Sequence, residues 1–375
     1  MYYLDNAATT RVSDEVFDVV KKYQCEQYYN PSSLYLNSVN VRKDIEKARQ
    51  DILEILGASK YKLFFTSCAT ESTNTVFNSL YFKAGDKVIV SAGEHPSVYN
   101  SAMKLKNKGV MVEVVKLTKD GQVDVYDLEN KVDDKVKLVC VMLVSNETGA
   151  INDIYSIARI VKAKNKNALI LCDGVQGFGK IKICLDNLNV DYFVLSGHKI
   201  HAPKGIGALV VKKDAGINPL LVGGGQENGL RSGTENVSGI MGLHKAAQIA
   251  NKNLDDNYKK VLNIKKEVIN QLLKANLGIV INGEKTSPYV LSISIPSIRG
   301  EVLLHMLEED DVFVATGSAC SSKNSDNRIL SAMGKTKEEV LGNIRISFNA
   351  IDEYDVQYIC RAIIKRITEL KGRMN

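Results

Sequence analysis

The sequence has no C-x-x-C pair, no apolar run of membrane-spanning length and no concentrated block of charge. Its seven cysteines are odd in number and mostly lie in apolar runs such as KLVCVMLV, which argues against a disulfide framework and favours a reducing compartment. A membrane helix needs about 20 apolar residues, and no such run occurs. A secretory signal needs an apolar core, which the N-terminal stretch MYYLDNAATT lacks. We therefore expect a soluble cytoplasmic protein without a membrane partner.

The charge and composition exclude two further classes of protein. Lysine and arginine total 49 against 43 acidic residues, and the formal net charge of +6 is spread along the chain, so no nucleic-acid partner is indicated. With 45% hydrophobic and 25% charged residues, the composition is that of a globular protein rather than a disordered or fibrous one. A chain of 375 residues is long enough for about two domains.

Short apolar runs between residues 60 and 212 end in small polar residues, and most are followed by a helical pattern. Runs that are apolar on both faces are typical of strands in a mostly parallel sheet covered by helices. Ligands bind at the carboxyl ends of such strands. The runs are KLFFTS, KVIVSAGEHPS, KLVCVMLVSNETG, ALILCDG, YFVLSGHK and GALVVKK.

The pattern changes after residue 250, where a charged helical stretch leads to the alternating strands VLSISIP and NIRISF. The chain closes with VQYICRAIIKRITEL, whose apolar residues keep helical spacing and give one apolar face. We predict an α/β protein with a large domain over residues 15–250. A smaller α+β domain is predicted to combine residues 1–14 with residues 251–375.

Two predicted strand ends carry residues that suit a pyridoxal cofactor. Asp173 follows the run ALILC, and Lys199 follows YFVLSGH. Pyridoxal phosphate needs an amine that forms a Schiff base with it and a carboxylate that keeps its pyridine nitrogen protonated. Asp173 alone could equally be a helix cap, and Lys199 alone a solvated loop residue, but their pairing favours the cofactor.

A phosphate group needs hydrogen-bond donors, and LFFTSCATES supplies a strand, a turn of small residues and the start of a helix. Free N–H groups around Cys68, Ala69 and Thr70 would point at an anion. The loop GGGQENGLRSGTEN, residues 223–236, is also rich in donors. Either segment alone has an ordinary alternative, because serine and threonine cap helices widely and the loop could be an interdomain turn.

Two other residues could complete a site at the strand ends. His95 follows the strand KVIVS and could stack on a flat cofactor or move a proton, although a lone histidine is more often structural. Arg345 lies opposite the apolar face of NIRISF and could bind a substrate carboxylate, although a solvated strand arginine fits equally well. His198 and His201 lack further ligands nearby in sequence, so no metal site is predicted.

Cys320 lies in TGSACSSKNSD, residues 316–326, among glycine, serine, asparagine and aspartate. Buried cysteines normally lie in apolar sequence, whereas these neighbours favour an exposed loop. The setting argues for a chemical role of this thiol, on a mobile loop over about residues 316–328.

Taken together, the motifs resemble those of the cysteine desulfurases. YLDNAATT, FTSCATES, GEHPS, SNETG, CDGVQ, SGHK, RSGTEN, GSACSS and IRISF occur in the order of that family and extend over nearly the whole chain. The resemblance implies a pyridoxal-phosphate enzyme of the aspartate aminotransferase fold, fold type I, in the class V aminotransferase family. The GSAC form resembles the branch that contains the nitrogen-fixation and housekeeping iron-sulfur desulfurases.

The resemblance also implies roles for individual residues toward the cofactor. Lys199 would form the Schiff base, Asp173 would bind the ring nitrogen, His95 would stack on the ring, and Gln176 would bond the phenolic oxygen. The phosphate and the remaining cofactor contacts would come from a further set of residues, with Thr234 reaching in from the other subunit of a homodimer. That set is Ala69, Thr70, Asn146, Ser196, His198 and Thr234.

For the substrate, the resemblance implies that Asn146 and Arg345 bind the carboxylate of L-cysteine. Cys320 would attack the substrate's sulfur, take it up as a persulfide and pass it to an acceptor protein, a cluster scaffold or a thiolation enzyme. It could touch a cluster transiently during that transfer. The product would be L-alanine.

Several positions depart from the family pattern: Tyr35 replaces histidine, Ser38 replaces glycine, Asn228 replaces arginine, and KNSDNRIL lacks the usual Ser-His or Ser-Tyr. They put the loop motion and the choice of acceptor in doubt. Rival functions are a selenocysteine lyase or a small-amino-acid aminotransferase of the same fold. A rival of another class is a non-catalytic assembly partner.

Overall fold

A computed structural model describes residues 1–317 and 327–373. Its strands are β1 Tyr2–Tyr3, β2 Tyr61–Thr66, β3 Lys87–Ser91, β4 Met111–Val115, β5 Val136–Met142, β6 Leu169–Asp173, β7 Tyr192–Ser196, β8 Gly207–Lys212, β9 Val280–Ile281, β10 Val290–Ser294, β11 Val312–Phe313 and β12 Asn343–Ser347.

The α-helices are α1 Asp14–Cys25, α2 Leu36–Ile55, α3 Ala69–Ser79, α4 Pro96–Lys104, α5 Val125–Lys131, α6 Ile154–Lys164, α7 Leu185–Leu188, α8 Val237–Lys252, α9 Leu254–Lys274, α10 Gly300–Glu308, α11 Arg328–Ala332, α12 Lys337–Leu341 and α13 Val356–Gly372. Short 3-10 helices cover Leu105–Lys108, Gly197–Lys199 and Glu227–Gly229.

Within residues 1–317 and 327–373, the central sheet has seven strands in the order β2-β8-β7-β6-β5-β3-β4. Strand β8 pairs antiparallel with both of its neighbours, and the other pairings are parallel. Along β7, Phe193 and Leu195 join one buried apolar cluster, while Tyr192 and Val194 join another. Because alternate side chains of a strand point to opposite faces, both faces of this sheet are covered. The predicted mostly parallel sheet is confirmed.

The parallel strands place their polar ends at one edge. Strands β5, β6 and β7 are neighbours, and β3 lies beside β5. Their carboxyl ends therefore meet in the crevice where ligands bind to sheets of this type.

Two smaller sheets involve the ends of the chain. Strands β12, β10 and β9 form an antiparallel sheet, and β1 pairs in parallel with β11. A separate apolar cluster fills the space between this antiparallel sheet and the helices α9, α10 and α13. Helix α13 buries Val356, Ile359, Ile363 and Ile367, which follow the predicted helical spacing. The strands expected at VLSISIP and NIRISF are β10 and β12, while the domain boundary at residue 250 stays a prediction.

Among the described residues, no helix is both long enough and apolar enough to cross a membrane.

Candidate active site

Asp173 is the last residue of β6 and is buried. Its Oδ1 accepts a hydrogen bond from the backbone N–H of Val175 at 3.0 Å. Burial raises the pKa of the carboxyl group, and the nearby His95 and Lys199 oppose that rise. Gly174 makes the tight turn possible, since a Cβ there would lie 1.8 Å from the Phe193 ring.

Lys199 ends the short 3-10 turn that follows β7. Its Nζ donates to the carbonyl oxygens of Ala7 and Ala8, each at 2.6 Å. The N-terminal loop is fastened to the same turn, because the N–H of Thr10 donates to the His198 carbonyl at 2.9 Å. The structure therefore brings the lysine of one strand end close enough to interact electrostatically with Asp173 on the neighbouring strand.

His95 is the N-cap of α4, and its Nδ1 accepts from the Ser97 N–H at 3.2 Å. Burial lowers the pKa of the imidazole most, Asp173 raises it, and Lys199 and Arg328 lower it further. A neutral ring whose Nδ1 accepts carries its proton on Nε2. His95 thus offers a neutral imidazole beside Asp173 and Lys199.

Glu94 is fully buried and was not singled out by the sequence. Its Oε1 accepts from the Ser91 hydroxyl at 2.5 Å and from the Met142 N–H at 2.7 Å. Its Oε2 has no hydrogen-bond partner among the described residues. Burial, with a smaller contribution from Asp173, raises the pKa of Glu94 to about 8. The sequence signal that could have identified Glu94 was an acidic residue three positions after the end of the buried strand β3.

The predicted phosphate site lies at the start of α3. This helix begins at Ala69, and its N-cap, Cys68, makes no side-chain cap hydrogen bond. Thr70 is exposed in the first turn, where the backbone N–H groups of a helix lack intrahelical partners. Ser196 is buried, and its hydroxyl has no partner among the residues that the structure describes.

His198 and Thr234, two further residues of the predicted phosphate set, have different neighbours. His198 pairs through Nδ1 with the Thr9 hydroxyl at 3.1 Å. Burial and then the nearby lysines, Lys199 first, lower the pKa of His198 to about 4, so its ring is neutral at neutral pH. Thr234 lies in a cavity of about 220 Å³ that Ser67 and Arg231 also line.

Arg345 on β12 is held by two carboxylates that sequence reasoning missed. Its Nη2 donates to Asp5 at 2.7 Å, and its Nη1 donates to Glu147 at 3.2 Å. Nη1 also donates to the Asn146 carbonyl at 3.1 Å, and the Asn146 amide donates to Glu147 at 2.9 Å. The structure thus brings Asn146 and Arg345 together, as the prediction for a carboxylate site requires. Burial raises the pKa of Glu147, and Arg345 opposes this rise.

Gln176 is buried behind the N-terminal loop. Its Nε2 donates to the Ala7 carbonyl at 2.8 Å, and its Oε1 accepts from Lys180 at 2.8 Å. Sequence reasoning missed Lys180, because a lysine after QGFG carries no local sign of burial.

Cys320 lies outside the described residues, but the two ends of its segment do not. A Cβ at Gly317 would lie 1.9 Å from the Asn327 amide and 2.8 Å from Glu147 Oε2. At the other end, Arg328 donates to the carbonyls of Ala92 and Glu94. The described residues on either side of the Cys320 segment therefore lie beside Glu147, at Gly317, and beside Glu94, at Arg328.

Comparisons with known proteins agree on one family. The model of the class V aminotransferases matches residues 2–359. The chain is 35% identical to the cysteine desulfurase of Trichormus azollae, over 98% of this chain and 91% of that one. It is 34% identical to the cysteine desulfurase IscS of Clostridium botulinum, Hall strain, over 98% of this chain and 94% of that one. A solved NifS-like protein superposes with a TM-score of 0.92 at 36% identity and covers 98% of this chain and 99% of that one.

The chain belongs to the class V aminotransferase family. Class V aminotransferases depend on pyridoxal phosphate, so the predicted cofactor and the fold of the pyridoxal-phosphate-dependent transferases are both confirmed. The residues present fit this cofactor. The buried Asp173 carboxylate suits a protonated ring nitrogen, Lys199 suits the aldehyde, and the unpartnered Ser196 hydroxyl suits a phosphate oxygen. Within the described ranges, no group of three or more His, Cys, Asp or Glu side chains could hold a metal ion.

Proposed function

We propose that the protein is a cysteine desulfurase that converts L-cysteine to L-alanine and retains the sulfur as a persulfide on Cys320. The observation that carries this proposal is the position of Gly317 and Arg328, the described residues on either side of the segment that contains Cys320. These two residues lie beside Glu147 and Glu94, which flank the carboxylate site at Arg345 and the imidazole of His95. The relatives named cysteine desulfurase support the same activity.

Bound pyridoxal phosphate supplies an aldehyde that links covalently to an amine and a protonated ring that withdraws electrons from the substrate's Cα. In our proposal Asp173 keeps the ring nitrogen protonated. Arg345 and Asn146 would hold the substrate carboxylate through charge-assisted hydrogen bonds. Lys199 would hold the cofactor's aldehyde before substrate binds and would act as general base toward the Cα proton of the substrate.

Cys320 then acts as the nucleophile. Its thiolate attacks the sulfur of the substrate, an S–S bond forms and the substrate's Cβ–S bond breaks. The electron pair of that bond remains on the carbon skeleton, which takes up protons and leaves as alanine. The neutral imidazole of His95 has an Nε2 that can pass a proton within the site. The persulfide delivers its outer sulfur to the thiolate of an acceptor protein for iron-sulfur clusters or thiolation.

We also propose that the active unit is a cytoplasmic homodimer in which Thr234 contacts the cofactor phosphate of the other subunit. Support comes from apolar side chains that this chain exposes, because contiguous exposed apolar surface is typical of interaction sites. Leu34 is 90% exposed, Leu36 71% and Val222 82%. The neighbouring residues Pro31 and Gly224 line one common cavity, so the segments that carry these side chains lie close together.

The test is the variant Cys320→Ala, with Cys25→Ala as a matched control at an exposed cysteine. We expect Cys320→Ala to keep the yellow colour of the bound cofactor but to release almost no sulfide from cysteine, while Cys25→Ala matches the wild type. Mass spectrometry should find an added sulfur on residue 320 of the wild type and of Cys25→Ala, and none on residue 320 of Cys320→Ala. Undiminished sulfide release by Cys320→Ala would overturn the persulfide mechanism. The variant also bears on the rival aminotransferase function, because an aminotransferase would not need this thiol.

A further inference from the structure

Lys180 is a buried lysine that the proposed reaction does not use. It follows β6 by a short turn and is only 7% exposed. Its Nζ donates to Gln176 Oε1 at 2.8 Å, which is its one hydrogen-bond partner among the described residues. The nearby charges, Lys199 and Arg345, are both positive, and Nζ lies 5.8 Å from the centre of the Tyr289 ring. Burial, and then these cations, lower the pKa of Lys180 to about 7.

The partners of Gln176 fix which way its amide faces. A carbonyl oxygen only accepts, so the Ala7 carbonyl requires the NH₂ group of Gln176. An ammonium group only donates, so Lys180 requires the oxygen of Gln176. A neutral amine still has N–H groups to donate, so this orientation holds in both charge states of Lys180. The NH₂ group uses one hydrogen on Ala7 and keeps the second.

The same atoms connect Lys180 to the catalytic lysine. The Ala7 carbonyl accepts from both Gln176 Nε2 at 2.8 Å and Lys199 Nζ at 2.6 Å. A continuous hydrogen-bonded chain therefore runs from Lys180 through Gln176 and Ala7 to Lys199. A change at one end of such a chain alters the polarity at the other.

We propose that Lys180 is a positioning residue that locks the amide of Gln176, so that Gln176 donates an N–H to the phenolic oxygen of the cofactor. This inference rests on the proposed cofactor contact of Gln176, not on cysteine turnover. A lysine buried without a carboxylate is costly to a fold, and an apolar side chain would fill the same space without that cost. In this proposal, the need to fix the orientation of the Gln176 amide explains why a lysine is buried at position 180.

The first measurement is the pH titration of the visible absorbance of the holoenzyme in the variant Lys180→Met. An N–H directed at the phenolic oxygen and a nearby cation both disfavour the protonated, yellow form. Loss of the lock should therefore raise the midpoint of the titration by about 1 pH unit, a shift typical of one lost charge or hydrogen bond. The control is Lys182→Met, which removes an exposed lysine two positions away and should leave the midpoint unchanged.

The second measurement separates the lock from the charge of the lysine alone. In a Gln176→Ala background there is no amide to orient, so Lys180→Met should shift the midpoint clearly less than it does in the wild-type background, by the effect of its charge alone. A shift of equal size in both backgrounds would overturn the proposal, because the lysine would then act through its charge. A midpoint of Lys180→Met equal to that of the wild type would overturn it too.

A third variant keeps the proposal testable if Lys180→Met does not fold or does not bind the cofactor. Lys180→Arg retains a group that only donates, and a cavity of about 100 Å³ beside Lys180 and Lys199 leaves room for the larger side chain. We expect its midpoint to match the wild type, and a raised midpoint would contradict the lock. None of these titrations needs cysteine, so a protein without desulfurase activity would refute the proposed function and leave this test standing.

Discussion

Individual buried ionisable residues surround the strand ends, and their protonation follows from burial more than from neighbouring charges. Asp173, Glu94 and Glu147 all have pKa values raised by loss of solvent, while His95 and Lys180 have pKa values lowered by it. Such perturbed groups gather at functional sites. Glu94 and His95 are therefore neutral at neutral pH.

Glu94 gives a prediction at this scale. Its folded pKa of about 8 exceeds the unfolded value of about 4.3, so between these pH values the folded state binds more protons than the unfolded state. The free energy of unfolding therefore falls as pH rises from about 4.3 to 8. Glu94→Gln cannot titrate, and we expect its stability relative to the wild type to increase by about 1 kcal/mol or more between pH 5 and pH 8.

Urea denaturation of the apoprotein at several pH values measures this difference. Glu284→Gln, at an exposed carboxylate, is the control and should follow the wild type. Parallel stability curves for the wild type and Glu94→Gln would show that Glu94 titrates normally in the fold.

The sequence predicts functional residues that lie at the end of a strand. It does not predict residues whose role depends on a partner far away in the sequence. Asp173 and Lys199 each follow an apolar run, so the position of each at the edge of the sheet is visible locally. Asp5 contacts Arg345 across 340 positions of sequence, and no local pattern reveals that pair. The hydrogen-bonded oxygen of Glu94, Oε1, likewise depends on the neighbouring strand β5, whose last residue, Met142, supplies the N–H.

The turn after β6 has little room for change. Gly174 lies against the ring of Phe193 on β7, and an added Cβ would overlap three atoms of that ring. We expect Gly174→Ala to lower the free energy of unfolding by about 1–3 kcal/mol or more and to weaken cofactor binding, because Asp173 must move with the turn.

Gly216→Ala is the matched control, since a Cβ there meets nothing within 4 Å. Urea midpoints and the absorbance of bound cofactor measure the two effects. A Gly174→Ala variant with wild-type stability and cofactor content would show that the turn can relax at little cost.

Helices and strands with a clear hydrophobic period could be predicted from the sequence. The way in which these elements pair and pack together could be predicted only in part. The apolar face of α13 and the alternation of β12 follow directly from the sequence. The pairing of β1 with β11 joins residues about 310 positions apart and depends on the packing of the whole chain.

At the scale of the whole molecule, the proposed homodimer makes a prediction through subunit mixing. Thr234→Ala should weaken the cofactor phosphate contact in the partner's site, and Lys199→Ala should disable the site of its own chain. If Thr234 acts across the interface, a mixed dimer of these two variants contains one intact site. We expect mixed samples to regain up to about a quarter of wild-type activity, because half of the dimers are mixed and each has one of two sites.

Activity that stays at the level of the separate variants after subunit exchange would contradict a contact across the interface. Sedimentation of the mixture provides the control that dimers have formed.

The Ala7 carbonyl, which receives both Lys199 and Gln176, is a main-chain atom of the N-terminal loop. In the proposed mechanism the first ten residues therefore take part in positioning the catalytic lysine, although none of their side chains has to react. Proteolytic cleavage just after this loop would therefore abolish the activity, although every side chain that reacts would still be present.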